Sequence, residues 1–132
     1  MSSSNSQYII SDIHQRVCTI SFNRPEKKNA FHRDAWLLLR DTINEVKNND
    51  AVSAIVFTGA GKDFSSGVDL SDLTGAPDEQ PPFEQMMDAL MQLDKPLLAA
   101  AKGAAIGFGA TVLMHCDVVY VGESLKLRFP FV

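Results

Sequence analysis

The sequence has 132 residues, the length of one ordinary domain, and 45% of them are hydrophobic while 21% are charged. These fractions are typical of a globular protein with a buried core. The formal net charge is −4 and no basic stripe is present, so nucleic acid is not an expected partner. No apolar run has the length of a transmembrane helix, so a membrane is not expected either.

One domain is predicted from 7 to 132, preceded by a disordered polar tail at 1–6 that lacks the features of a signal peptide. Cys18 and Cys116 lie in apolar surroundings, which favours free thiols and a reducing, cytoplasmic location. The chain stops in the apolar run SLKLRFPFV, which we interpret as a truncation; a final strand docked in a sheet is the alternative. A peroxisomal targeting signal, if the protein has one, is expected beyond that run.

The first part of the chain is predicted to form a hairpin of strands at 8–14 and 17–22, followed by a helix. The second strand has the alternating pattern of a half-buried strand. In the loop NRPEKKNA, Asn29 is predicted to cap the helix. The helix is predicted over 33–47, because residues at three- and four-residue spacing form one mainly apolar face there: Ala35, Leu38, Leu39, Thr42, Ile43 and Val46.

Three short apolar runs, at 54–57, 97–101 and 118–121, are predicted to be strands buried on both faces, which is typical of a parallel sheet. A second helix is predicted at 83–93 and a short third one at 109–115. The polar loop SDLTGAPDEQPP is the expected mobile segment. Strands that alternate with helices indicate an α/β fold.

Two glycine-rich turns, FSSGVDL and GAAIGFGA, each follow one of these buried strands. Small residues let the backbone approach a ligand closely, and the first amides of a helix are unpaired and partly positive. An oxygen that gains negative charge would be stabilised there. Either turn alone is consistent with a purely structural turn, and neither has the residue order of a P-loop or a dinucleotide fingerprint. The pair of turns favours an anion-stabilising site.

The stretches NRPEKKNAF, GAGKDFSSGVDLSDL and KPLLAAAKGAAIGFGATVLMHCDVVYV resemble, in unbroken order, the signatures of the crotonase superfamily, the enoyl-CoA hydratases and isomerases. The resemblance implies an α/β fold built as a spiral of ββα turns, of which this chain would hold the N-terminal portion. It implies an acyl-CoA thioester as partner and a homo-oligomer, a trimer or hexamer, when complete. No metal and no separate cofactor are expected, because coenzyme A is part of the substrate.

The resemblance also implies roles for particular residues. The backbone N–H groups of Val68 and Phe108 would form an oxyanion hole that holds the thioester oxygen as an enolate forms. Ala30 would meet the adenine end of coenzyme A through its backbone. The other substrate-binding candidates are Ser66, Gly67, Asp69, Leu70 and Gly107. Lys27, Lys28 and Lys62 are candidates for the coenzyme phosphates, although surface lysines usually meet only water.

One position departs from the hydratase pattern. Where hydratases carry a glutamate, this chain has Thr111, which cannot act as a general base. The resemblance is therefore strongest to Δ3,Δ2-enoyl-CoA isomerases, which use a single glutamate base, expected here beyond the run RFPFV. The alternatives are another crotonase reaction, such as hydration, and a catalytically inactive acyl-CoA-binding fragment.

Overall fold

The computed structural model describes residues 8–71 and 80–131, and the chain forms two sheets whose strands we number in chain order. Strands β1 (Ile9–His14) and β2 (Val17–Phe22) form the predicted antiparallel hairpin. Strands β3 (Ala54–Gly59), β4 (Leu97–Ala101) and β6 (Val118–Val121) extend this sheet in parallel, in the order β1-β2-β3-β4-β6. The smaller sheet pairs β5 (Ala104–Ile106) with β7 (Lys126–Arg128) in parallel.

Helices connect these strands close to where the sequence predicts them. Helix α1 (Arg33–Lys47) has the predicted bounds. Helix α2 (Pro82–Met91) begins one residue earlier and ends two residues earlier than predicted, with Pro82 in the first turn, where its missing N–H costs nothing. The predicted third helix is split into α3 (Phe108–Thr111) and a 3-10 turn (Val112–His115).

One hydrophobic core joins the larger sheet to α1 and α2. From β2 it receives Cys18, Ile20 and Phe22, as their alternation predicts. From α1 it receives a buried stripe that includes one residue outside the predicted face, Trp36: Ala35, Trp36, Leu39, Ile43 and Val46. Each fully buried large side chain stabilises the fold by about 1.5–3 kcal/mol.

Asn29 is not the cap of α1, contrary to the prediction. The N-cap position of α1 is His32, and no side chain caps it. The Asn29 side chain is instead buried, with only 1% of its surface exposed, and it is bonded to neighbouring loops. Its amide bonds three partners from the tertiary structure, at Arg24 N–H, Ala60 O and Asp63 O, which leaves it unavailable to the end of α1.

The burial predicted for Val118–Val121 is also wrong, although the strand and its parallel pairing are correct. Val118, Tyr120 and Val121 are exposed. Within the described residues β6 pairs only with β4 and forms an edge of the sheet. An unbroken apolar run indicates a strand with two apolar faces, but it does not show that other elements of the chain pack on those faces.

Two predicted segments lie largely outside the described residues: the tail at 1–6 and the polar loop at 71–82, of which 72–79 are not described. Both cysteines are free thiols. No helix in the described ranges is long and apolar enough to cross a membrane.

We expect the 132-residue chain to self-associate, because exposed apolar side chains and an open strand edge favour contacts between copies. Tyr120, Val121 and Phe131 are 64%, 60% and 68% exposed. Sedimentation velocity over a range of concentrations should show species larger than a monomer. The variant Val121→Lys places a charge at this edge and should weaken the association. A clean monomer at all concentrations would contradict this expectation.

Candidate active site

The two glycine-rich turns pack against each other, backbone to backbone. The first follows β3 and the second surrounds β5. Phe64 N–H and Ser65 N–H both donate to Ala104 O, each at 3.0 Å, and Ile106 N–H donates to Ser65 O at 3.0 Å. These bonds include a parallel bridge between Ser65 and Ala105. The structure therefore brings the two predicted turns together.

Two glycines make this close approach feasible. A Cβ atom on Gly109 would lie 2.1 Å from Ser65 O, which is far inside van der Waals contact. A Cβ atom on Gly67 would lie 2.7 Å from Ile106 O and 3.4 Å from Phe108 N, and Gly67 has a φ of +92° that L side chains rarely adopt. Any larger residue at either position would push the turns apart.

The first candidate donor is the N–H of Val68. This N–H shares a trans peptide unit with the carbonyl of Gly67, so the two groups point in opposite directions. Phe31 N–H donates to Gly67 O at 2.7 Å, and Asp69 N–H donates to Phe31 O at 2.8 Å. The peptide is thus fixed through its carbonyl, while the Val68 N–H has no acceptor within residues 8–71 and 80–131.

The second candidate donor is the N–H of Phe108, which shares a peptide unit with the carbonyl of Gly107. That carbonyl accepts the N–H groups of Ala110 and Thr111, both at 2.9 Å. The Phe108 N–H, at the start of α3, finds no acceptor in the described part of the chain. Because α3 has only four helical residues, the helix dipole invoked from the sequence contributes little, and the donor relies on its own fixed peptide.

The side chain of Phe108 is buried, with 5% of its surface exposed. Its ring packs edge-to-face against three other aromatic rings, with centroids 4.8 Å from Trp36, 5.3 Å from Phe31 and 6.0 Å from Phe83. Contacts of this geometry add about 0.5–1.5 kcal/mol each beyond buried area. Phe31 thus contributes to both donors, through its backbone to Val68 and through its ring to Phe108.

Three of the predicted substrate contacts lie where the loop at 24–31 meets the first turn. Ser66 N–H donates to Lys28 O at 2.9 Å, and Ser66 Oγ donates to Lys27 O at 3.3 Å. Ala30 N–H donates to Lys27 O at 3.0 Å and Ala30 O accepts from Arg24 Nη1 at 3.1 Å, so a ligand would bond to the second lone pair of the Ala30 carbonyl. Leu70 is 78% exposed beside them.

Asp69 is committed to protein partners. Its Oδ2 accepts from Arg24 Nη1 at 2.8 Å, and its Oδ1 accepts from both N–H and Oγ–H of Ser71. Hydrogen bonds from Ser71 and from Arg24 hold the pKa of the Asp69 carboxyl well below its usual range. Asp69 is therefore ionised near neutral pH, and both its carboxylate oxygens already have partners.

Two residues that sequence reasoning did not select brace the whole arrangement. Asn29 Oδ1 accepts from Arg24 N–H at 2.7 Å, and Asn29 Nδ2 donates to Ala60 O and Asp63 O. Ser65 Oγ donates to Asn29 O at 2.9 Å and accepts from Gly67 N–H at 3.0 Å. For Asn29 the sequence did hold a signal, because asparagine adopts a positive φ more readily than most residues, and the φ of Asn29 is +57°.

A cavity of about 850 Å³ opens beside the turns, and its lining includes five cationic side chains. Among the described residues its one acidic lining residue is Asp63, which accepts from Ala104 N–H through Oδ1 at 2.8 Å. The cations include two predicted from the sequence and three that were not: Lys28, Lys62, Lys102, Lys126 and Arg128. The predicted residue Lys27 does not line this cavity. Such a wall attracts anionic groups.

The side chains of Thr111 and Cys116 bond within their own helical segment. Thr111 Oγ1 donates to Phe108 O at 3.4 Å. Burial raises the pKa of the Cys116 thiol to about 11, so it stays protonated near neutral pH. Within the described ranges, no three residues of the types His, Cys, Asp and Glu cluster in a way that could hold a metal ion.

Comparison with known proteins shows the family to which this sequence and fold are similar. The family described as Enoyl-CoA hydratase/isomerase matches residues 12–132. The chain is 30% identical to the 1,2-epoxyphenylacetyl-CoA isomerase of Escherichia coli, covering 95% of this chain and 51% of that protein. It is 32% identical to the mitochondrial enoyl-CoA hydratase of Pongo abelii, covering 98% of this chain and 47% of that protein.

The fold agrees with the sequence match. The crystal structure of an enoyl-CoA hydratase/isomerase from Pseudoalteromonas atlantica superposes with a TM-score of 0.86 at 33% identity, covering 93% of this chain and 49% of that one. The chain spans about half the length of the relatives it matches. With the family matched over residues 12–132 and the fold shared, the chain belongs to the enoyl-CoA hydratase/isomerase family of the crotonase superfamily.

Proposed function

We propose that the two turns form the oxyanion hole of an acyl-CoA enzyme, with the N–H groups of Val68 and Phe108 as donors. One observation carries the proposal: among the described residues both N–H groups are free, while the carbonyl of each peptide is fixed by other bonds. Donors that are already oriented stabilise developing charge without reorganising at the moment of reaction. Family membership supports a thioester as the group that supplies the oxygen.

For the whole protein we propose isomerisation of a 3-enoyl-CoA to a 2-enoyl-CoA. Removal of a proton from C2 moves an electron pair into the thioester and places negative charge on its oxygen. The double bond between C3 and C4 conjugates with this enolate, and protonation at C4 gives the 2-enoyl product. Each donor to the oxyanion is worth roughly 3 kcal/mol of barrier.

Thr111 supports isomerisation over hydration. Hydration needs a general base that activates water, and the hydroxyl of Thr111 instead donates to the carbonyl of Phe108. Hydration remains the second candidate, because one of the relatives above is a hydratase. Binding of acyl-CoA without catalysis is the third.

The base of the proposed reaction is assigned to none of the described residues. Of the carboxylates on the two turns, Asp69 is bonded to Arg24 and Ser71, and Asp63 accepts from Ala104 N–H. The family resemblance implies a glutamate that follows the run RFPFV. The contribution proposed for this chain is therefore the donors and part of the coenzyme contacts.

The cationic cavity supports binding of the coenzyme phosphates. Lys28 and Lys62 line it, and Lys28 directly precedes Asn29 and Ala30, the candidate contact of the adenine end. We propose that phosphates lie against these lysines while the thioester reaches the donors. The proposed homo-oligomer would add further contacts from neighbouring copies.

Removing either donor N–H should reduce turnover by the whole protein. Val68 is the more suitable position, because the residue is 41% exposed and the glycine before it has no Cβ to clash with a proline ring. Val68→Pro should lower kcat about a hundredfold or more, whereas Val68→Ala should keep most activity. Circular dichroism should show that both variants fold.

The same comparison applies at Phe108, where the side chain is buried. Phe108→Leu keeps the N–H, loses aromatic contacts and should be less stable but active. Phe108→Pro should lose about a hundredfold in kcat. A folded Phe108→Pro variant with near wild-type kcat would disprove the two-donor site.

Isomerisation by the whole protein should exceed hydration of a 2-enoyl-CoA by about a hundredfold or more, the usual contribution of a general base. Thr111→Val, which replaces the hydroxyl with a methyl group, should leave isomerisation unchanged. Thr111→Glu should raise hydration slightly. Spectrophotometric assays of both reactions test this, and equal wild-type rates would reject the isomerase assignment.

Neutralising the cavity cations should weaken coenzyme A binding in a salt-dependent way. Lys62→Ala and Lys28→Ala should each raise the Kd for coenzyme A by up to about fivefold, the effect of one exposed ion pair. Titration calorimetry with coenzyme A and with pantetheine, which lacks the nucleotide phosphates, checks this. Lys47→Ala, at the far end of α1, is the matched control and should change neither Kd; an equal effect from it would contradict the assignment.

A further inference from the structure

The guanidinium of Arg24 connects the loop at 24–31 to the first glycine-rich turn. Arg24 Nη1 donates to Ala30 O at 3.1 Å and to Asp69 Oδ2 at 2.8 Å. The Arg24 and Asp69 side chains are only 16% and 14% exposed, so the ion pair is weakly screened by solvent. Ala30 is the candidate coenzyme contact, and Asp69 directly follows the donor Val68.

The bonds of Asp69 continue this connection to the donor peptide. Its side chain is held between Arg24 and Ser71, and its own N–H donates to Phe31 O. The next bond back along the chain joins Phe31 N–H to Gly67 O. The residues on both sides of Val68 are therefore fixed, and Arg24 supplies the charged end of that chain of contacts.

Arg24 is itself fixed at its backbone. Its N–H donates to Asn29 Oδ1 at 2.7 Å, and its carbonyl accepts the N–H groups of Lys27 and Asn29. The guanidinium thus reaches across to Asp69 from a rigid base. A charge-assisted bond between fixed groups constrains geometry more than one between mobile side chains.

We propose that Arg24 is a positioning residue: it fixes the Val68 N–H through Asp69, and it links the loop carrying Ala30 to that donor. The effect of this positioning on catalysis rests on the proposed function. Arg24 is not assigned a contact with any reacting atom: it acts through Asp69, through Ala30 O and through the parallel bridge between Phe31 and Val68.

A role in overall stability alone predicts a different outcome from a positioning role. If Arg24 only stabilises the fold, its loss should make amide hydrogens exchange faster throughout the molecule. If Arg24 positions the donor, two amides should respond selectively: Phe31 N–H, which bonds Gly67 O, and Asp69 N–H, which bonds Phe31 O.

The test is hydrogen exchange, resolved to single amides, on the 132-residue chain. In Arg24→Ala we expect the Phe31 and Asp69 amides to exchange about tenfold faster or more, the effect of losing a charge-assisted bond. The amides of β2 and β3 should stay within about twofold of wild type. Arg24→Lys, which keeps the charge but not the fork of donors, should give an intermediate change.

Two further variants keep the test decisive. Asp69→Asn removes the partner charge and should accelerate the same two amides, and it decides the question if Arg24→Ala does not fold. Arg16→Ala is the matched control, because Arg16 also braces two loops, bonding Ser53 Oγ and Asp50 O, but at the opposite end of β2. Uniform acceleration, or no change at Phe31 and Asp69, would overturn the proposal.

A ligand titration separates this proposal from the proposed function. Wild-type chain should bind acetyl-CoA more tightly than coenzyme A, because only the thioester supplies an oxygen to the donors. In Arg24→Lys that preference should shrink while affinity for coenzyme A is retained. If wild type binds neither compound, the acyl-CoA function fails, and the exchange pattern still decides whether Arg24 positions the Val68 peptide.

Discussion

The contact between main chains at Ser65 and at Ala104–Ile106 is the constraint on which the rest of the site depends. Three hydrogen bonds hold the two turns together, and no side chain separates them at Gly67 or Gly109. Because the contact uses backbone atoms, it fixes peptide planes rather than side-chain rotamers. The contact places the Gly67 and Gly107 peptides near each other, while other bonds to their carbonyls leave the Val68 and Phe108 N–H groups without an acceptor among the described residues.

Much of the fold follows from local patterns in the sequence. Strand β2 and helix α1 have the predicted bounds because their apolar residues repeat at the period of their secondary structure. The two turns were located because glycines and small residues follow apolar strands. Their pairing into one site was predicted because each turn follows a buried strand, and the family resemblance then assigned the donor residues; no local pattern shows which of their atoms meet in space.

The parts that were missed depend on tertiary context. Asn29 is a capping residue by type, yet three hydrogen-bond partners hold it in the loop. The sequence predicts Ser66 and not Ser65 as a site residue, because adjacent serines are equivalent in sequence and only the fold shows which one is buried. Val118–Val121 has the composition of a covered strand but lies at a sheet edge among the described residues. In each case the deciding neighbour is distant along the chain.

That distance has a consequence for how the molecule folds. The bonds from Ser65 to Asn29, from Ala104 to Asp63 and from Arg24 to Asp69 close loops of 36, 41 and 45 residues. Loops of this length carry an entropic cost before any contact forms, so structures rich in such contacts fold slowly. None of the three segments contains both partners of any of these bonds, so the site forms only when the segments meet. The donors are therefore expected to become oriented during the folding transition and not before it.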